Sequence, residues 1–254
     1  MGHSLFQTLV AFDLYLLTKI ALVKLRNAIF IIALIIIADQ VLKIWIKTSY
    51  PTGEVTRVVG ANWFRLYFIE NSGMAWGWKL GNETGKMVLT LFRLAAVLFG
   101  TWYIGKIVRQ KYSTGFIVCA ALIYAGALGN LIDSMFYGMI FDKGLHYDAA
   151  AHDYIAYSGV ASFSSKGYAS FLHGSVVDML YFPIIHSHYP SWFPFVGGEE
   201  FEFFSPIFNI ADASISIGVI TLFIFQKRFF RKHLRDDSQT IETNAEVNDR
   251  VQIG

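Results

Sequence analysis

AGALGNLIDS at residues 125–134 places Asn130 and Asp133 inside an otherwise apolar run, and PIFNIADASIS at 206–216 repeats the arrangement with Asn209 and Asp212. An offset of three sets each Asn and its Asp on one face of a helix. A charged side chain within a bilayer costs free energy on every transfer scale, so such residues face a protein interior and mark function. These two stretches decide the fold: membrane helices that carry their polar groups inward.

Composition agrees. Of 254 residues, 54% are hydrophobic, against the 45–50% usual in soluble domains, and the mean hydropathy is +0.44. The excess lies in blocks, as in membrane proteins. A net charge of +2 gives no argument for nucleic acid, and the single cysteine, Cys119, permits no internal disulfide and reads as a packing residue. A span needs roughly 20 mostly apolar residues, and the segments near 28–47, 87–107, 115–134 and 206–226 qualify. The first carries Asp39 and Lys43, and the second carries Arg93. No removable signal peptide is evident, because no small-residue cleavage site follows a short apolar core.

Lys and Arg set the orientation. Lys19, Lys24 and Arg26 precede the first span; Lys106, Arg109 and Lys111 fill the short link after the second; Lys227, Arg228, Arg231, Lys232 and Arg235 follow the fourth. The segment 135–205 has only Lys143 and Lys166. Both termini are therefore expected in the cytoplasm, with 48–86 and 135–205 outside. The expected organisation is a cytoplasmic or interfacial segment over 1–27, a four-helix membrane domain over 28–226 with an outer-face insertion at 139–173, and a basic, then disordered, tail over 227–254. The apolar stretch before residue 28, broken by Asp13 and Lys19, fits an interfacial helix, a fifth span or added sequence.

At about 1.5 Å per residue, Asp39, Lys43, Arg93, Asn130, Asp133, Asn209 and Asp212 all fall toward the outer side of the membrane. Between the last two spans, HGSVVDMLYFP holds Asp178 among apolar residues. In ANWFRLYFIEN, Phe64, Leu66 and Phe68 alternate imperfectly with Arg65, Tyr67 and Ile69, and Asn71-Ser72-Gly73 follows as a turn. This predicts a small sheet lying on the outer face. The fold class is thus membrane α-helical, four transmembrane helices with a small β-sheet and loops on the extracytoplasmic side.

The blocks ADQVLK (38–43), IENSGMAWG (69–77), AGALGNLID (125–133), GSVVDMLYF (174–182) and PIFNIADASISIG (206–218) resemble, in order and in hydropathy, the lipoprotein signal peptidase, or signal peptidase II, family. The resemblance implies an aspartyl endopeptidase of the bacterial cytoplasmic (inner) membrane. It would cleave signal peptides from prolipoproteins just before a cysteine carrying diacylglycerol. The resemblance carries the catalytic role to Asp178 and Asp212, and supporting roles to Asp39, Lys43, Asn71, Gly73, Asn130, Asp133 and Asn209. The implied partners are the prolipoprotein and membrane lipid; no cofactor or metal is expected, and the chain is expected to be a monomer. Two departures stand out. Ser134 occupies the place where the family commonly has Arg, which leaves Lys43 or Arg93 to neutralise Asp133. The link from Asp133 to Asp178 is long, 45 positions, and a second expansion covers 184–205. Added outer loop length costs little closure entropy, so neither expansion need displace the site, though both could cover it or bind partners; the long insertion is not expected to be needed for the chemistry.

Two carboxylates sharing a site do not both ionise easily; the pair holds one proton and titrates as a unit. The asparagines offer donors and acceptors to a bound backbone or to the acids. Gly126, Ala127 and Gly129 let the third helix pack closely or leave room for substrate. The histidines supply no compact zinc motif, and the Ser-rich stretch at 158–167 lacks a nucleophile elbow. A transporter is the alternative reading of buried ions, but the chain shows neither inverted repeats nor broken helices.

Overall fold

The computed structural model describes residues 2–57, 63–72, 83–183, 185–188, 190–194, 198–203 and 206–229. Among the described residues, four helices are long and apolar enough to cross a bilayer: Ala21–Ser49, Glu83–Arg109, Thr114–Ile140 and Ile210–Phe229. We label them α1 to α4, α1 being the last part of one continuous helix, Gly2–Ser49. Their outward surfaces are apolar: Phe30, Phe92 and Phe223 are 67%, 70% and 74% exposed. Such faces are stable only against lipid.

Three boundaries differ from the expected ones. No break separates residues 1–27 from the first span among the described residues, because Asp13 and Lys19 interrupt hydropathy without interrupting helical backbone. Helix α3 does not stop at 134; Asp133–Tyr137 is wound as a π-helix and Gly138–Ile140 completes the span. Its polar residues are buried in protein, so the drop in hydropathy was no signal of an end. Helix α4 starts at Ile210, not 206, because Ile207–Phe208 belongs to a strand.

The strands are β1 (Val55–Arg57), β2 (Arg65–Asn71), β3 (His146–Asp148), β4 (Asp153–Ile155), β5 (Val176–Tyr181), β6 (Ile185–His188), β7 (Glu200–Phe203) and β8 (Ile207–Phe208). An antiparallel sheet runs in the order β1-β2-β5-β8, while β3-β4 and β6-β7 form separate pairs. The long link thus contributes β3-β4, and the second expansion contributes β6-β7. Strand β5, the carrier of Asp178, is interior to the main sheet. Its pairing with β2 slips between Leu66↔Leu180 and Ile69↔Asp178, a bulge of the kind that re-aims side chains beside active sites.

The chain forms two compact units. One, built from residues up to Leu34, Leu98–Ala125 and residues from Ser214, has a core of Ala28, Ile104, Ile107, Phe116, Ile117 and Ala121. Close helix approach there rests on glycine: a Cβ on Gly218 would lie 2.9 Å from the Cys119 carbonyl. Cys119 is free and buried. The other unit, Ile35–Val97 with Gly126–Ala213, packs Ile46, Phe68, Tyr137, Phe141, Val177 and Met179. All the polar residues considered below belong to this second unit.

Candidate active site

The site starts on one face of α1, where Asp39 and Lys43 stand four apart. Lys43 is fully buried, and its three N–H donors are all used. They meet Asp39 Oδ2 at 2.8 Å, Asp133 Oδ2 at 2.8 Å and Asn130 Oδ1 at 2.9 Å. An uncompensated ion here would cost several kcal/mol, so lysine and acids hold one another in place. Gln40 closes the cluster, donating to Asp133 Oδ1 at 2.9 Å and to Asp39 Oδ2 at 3.2 Å while accepting the Tyr137 hydroxyl at 3.1 Å.

Lys43 also fixes which way Asn130 points. Its oxygen faces the ammonium, so its nitrogen donates outward to Asp212 Oδ1 at 2.8 Å. Asn209 lies between the two remaining acids. Its Nδ2 is 2.7 Å from Asp178 Oδ1 and 3.1 Å from Asn130 Oδ1, and its Oδ1 accepts the Asp212 backbone N–H at 2.8 Å. The start of α4 is completed by Asp39, whose Oδ1 accepts the Ala211 N–H at 2.9 Å. Helix starts leave such donors unmet, and here they are met by site residues.

Asp178 is 3% exposed while Asp212 is half-buried. Burial first, and the neighbouring Asp212 charge second, push the Asp178 carboxyl up to about 7. Burial therefore favours the neutral form of this carboxyl.

Asp133 ties the sheet to the helices, accepting the Val177 N–H at 3.3 Å beside Asp178. The π-wound turn that begins at Asp133 releases carbonyls from α-helical pairing, and the incoming chain takes them up. Gly174 N–H bonds Ser134 O at 2.9 Å and Leu172 N–H bonds Met135 O at 3.3 Å. The approach demands glycine, since a Cβ at 174 would lie 2.2 Å from the Asp133 carbonyl. From α2, Arg93 donates to Ser134 Oγ at 3.1 Å and acts electrostatically on Asp212, Asp133 and Asp178.

Seven of the nine expected site residues therefore form one connected group: Asp39, Lys43, Asn130, Asp133, Asp178, Asn209 and Asp212. Asn71 ends β2 opposite Val176, two residues beyond the partner of Asp178. Gly73 lies outside the described residues. Lys43 ion-pairs Asp133, and Arg93 takes the serine beside it. Sequence reasoning missed Gln40, Lys47 and Glu70. The signal was present for two of them: Gln40 is a further polar residue on an apolar helix, and Lys47 lies four beyond Lys43. Glu70 had only its adjacency to Asn71. Lys47 and Glu70 form a fully buried ion pair.

A helical membrane protein whose buried polar centre links two carboxylates through asparagine amides is the class that fold and site define. The family model described as signal peptidase (SPase) II matches residues 31–228. A lipoprotein signal peptidase of Porphyromonas gingivalis (strain ATCC 33277) is 46% identical over 199 residues, covering 78% of this chain and 81% of that protein. One from Amoebophilus asiaticus is 29% identical over 227 residues, 86% and 88% of the two chains. A solved bacterial membrane enzyme aligns over 80% of this chain and 88% of its own, at 25% identity and a TM-score of 0.47. The chain belongs to the signal peptidase II family, and so to the aspartic peptidases.

Proposed function

We propose that this enzyme, which as a signal peptidase II removes signal peptides from prolipoproteins, uses Asp178 and Asp212 as its catalytic pair and cuts just before a diacylglyceryl-modified cysteine. The observation that carries the assignment is Asn209, bonded at 2.7 Å to the first acid and at 2.8 Å to the backbone of the second. One side chain thus holds the carboxyl of one acid and the backbone of the other, residues remote in sequence.

In the proposed reaction, water attacks the scissile carbonyl carbon. The ionised member of the pair accepts a proton from that water, and the protonated member donates to the carbonyl oxygen. The tetrahedral intermediate then collapses: one of its hydroxyls returns a proton to the carboxylate that donated, the C–N bond breaks, and the departing cysteine nitrogen takes the proton that the other carboxylate gained from water. Because the pair shares one proton, neither acid is assigned a fixed role. Asp39, Lys43, Asn130, Asp133 and Asn209 hold the pair, while Asn71 and Gly73 serve the substrate.

The clustering of Lys and Arg at 19–26, 106–111 and 227–235 supports cytoplasmic termini and a site open toward the outer face of the bacterial inner membrane. Lipid on the cysteine would hold the cut bond at the depth of the acids. One chain supplies both acids, which supports a monomer as the working unit.

The test is cleavage of a diacylglyceryl-modified prolipoprotein by wild type, Asp178→Asn and Asp212→Asn, with membrane insertion and folding checked for each. Both variants are expected to be inactive; turnover by either one removes the pair. Unmodified precursor is expected to be cut poorly, and equal rates on both forms would refute the lipid requirement.

A further inference from the structure

The long segment between α3 and β5 is expected from the sequence to be dispensable, yet its bonds converge on a single buried ion pair. Lys47 of α1 and Glu70 of β2 have fully buried side chains and are ion-paired. Tyr157, within the segment, donates to Glu70 Oε1 at 2.8 Å, and the Leu145 N–H donates to Oε2 at 2.8 Å. The Lys47 ammonium lies 5.1 Å from the ring centre of Phe141 and 5.2 Å from those of Tyr157 and Tyr168. A cation enclosed by three aromatic faces is held by their quadrupoles. Tyr168 passes the constraint onward, its hydroxyl accepting the Ser175 N–H at 2.7 Å, while Ser175 Oγ donates to Leu145 O at 2.7 Å. Ser175 immediately precedes β5.

We propose that the 141–175 segment is a strap built into the catalytic scaffold, latched on Glu70, and that Tyr157 and Glu70 are positioning residues for Asp178. The latch acts on the acid by two routes. Along the sheet, Glu70 pairs with Val177 and Ile69 with Asp178, so a fixed Glu70 fixes the strand position of the acid. Along the strap, Ala169 N–H bonds Gly138 O at 2.9 Å, and Gly174 bonds Ser134, fixing the π turn from which Asp133 holds Val177. The strap aromatics Phe141, Tyr157 and Tyr168 pack with Val177 and Met179, so they brace the strand on the face opposite Asp178. Around that carboxyl stand Asp212 and Asn209 at the start of α4, Asp133 of α3, Lys43 of α1 and, acting from α2, Arg93.

The inference rests on Asp178 and Asp212 being the acid pair, and the experiment separates the two. Tyr157→Phe keeps the ring over Lys47 and deletes only the O–H donated to Glu70; Lys166→Ala, exposed on the same segment, is the control. For Tyr157→Phe we expect kcat to fall on the order of tenfold, with KM within about twofold of wild type. The alkaline limb of the kcat profile should move to lower pH, because a loosened β5 relaxes the burial that favours the protonated acid. Thermal unfolding in detergent reports the folded fraction, and Glu70→Gln should repeat both kinetic effects. Wild-type kcat and limb in folded Tyr157→Phe, or a loss that merely tracks the unfolded fraction, would overturn the strap. Activity in Asp178→Asn would instead overturn the pair on which it rests.

Discussion

Asn209 and Asp212 close a reciprocal cap at the start of α4: the Asn209 side-chain oxygen accepts the Asp212 N–H at 2.8 Å, and Asp212 Oδ2 accepts the Asn209 N–H at 3.3 Å. This is the capping-box pattern with aspartate as its third-position acid. The proposed catalytic carboxylate is therefore oriented by the same bonds that begin the helix, and it sits where the helix dipole favours negative charge.

Asn209→Ala should lose the cap and the link to Asp178 together. We expect a stability loss of about 1–2 kcal/mol and cleavage reduced on the order of 100-fold. Asn209→Asp keeps a capping oxygen but places a third carboxylate beside the pair, so helix stability should recover while activity does not. Denaturation in detergent and a cleavage assay on the same preparations separate these effects.

Lys43→Met leaves Asp39 and Asp133 buried without a cation. Breaking a buried pair in this way costs about 3–5 kcal/mol, so the variant should accumulate poorly in membranes. Adding Asp39→Asn and Asp133→Asn in the same chain should restore much of the yield, because neutral amides need no counter-charge. Immunoblots of membrane fractions would decide; full yield in the single variant contradicts the role given to Lys43.

Asp178 ties stability to pH in a defined direction. Its folded carboxyl lies near 7 against an ordinary value of about 4, so the folded state binds the proton more tightly. Stability must fall as pH rises between those values, and the cost is complete above about 7. Asp178→Asn removes the ionisable group. Its thermal midpoint should match wild type near pH 4 and exceed it increasingly toward pH 8, by an amount equivalent to roughly 3–5 kcal/mol. An advantage that is constant with pH would contradict this origin. Wild-type kcat should decline on the alkaline side near pH 7, where the pair loses its proton.

Gly174→Ala inserts a methyl group 2.2 Å from the Asp133 carbonyl oxygen. Backbone must shift, and overpacking of this kind costs about 1–3 kcal/mol or more. We expect impaired cleavage even in the folded fraction, because the displaced turn carries Asp133. Gly105→Ala, with nothing within 4 Å of its added Cβ, should be neutral in both measurements.

The spans and most of the polar cluster were legible because both rest on local signals. Blocks of apolar sequence give the helices, and a lone Asp or Lys within them must be paired. Depth along each helix then brought Asp39, Asn130 and Asp212 to a common level. Helix ends were less legible. Ile207 and Phe208 are as apolar as the helix that follows, and only their pairing with Leu180 and Tyr181 reveals a strand. The continuation of α3 past Ser134 depends on chain from residues 172–174 satisfying its carbonyls, a contact that no window of sequence contains. The strap was hidden for the same reason. Phe141, Tyr157 and Tyr168 look like scattered aromatics until folding brings them around one amine.

That enclosure has a practical corollary. Lys47 has no accessible surface, so an acylating reagent reaches its amine only after the fold opens, whereas exposed Lys166 is tagged at any time. The ratio of the two tags in a digest would count intact molecules directly in native bilayers, with no dye or antibody.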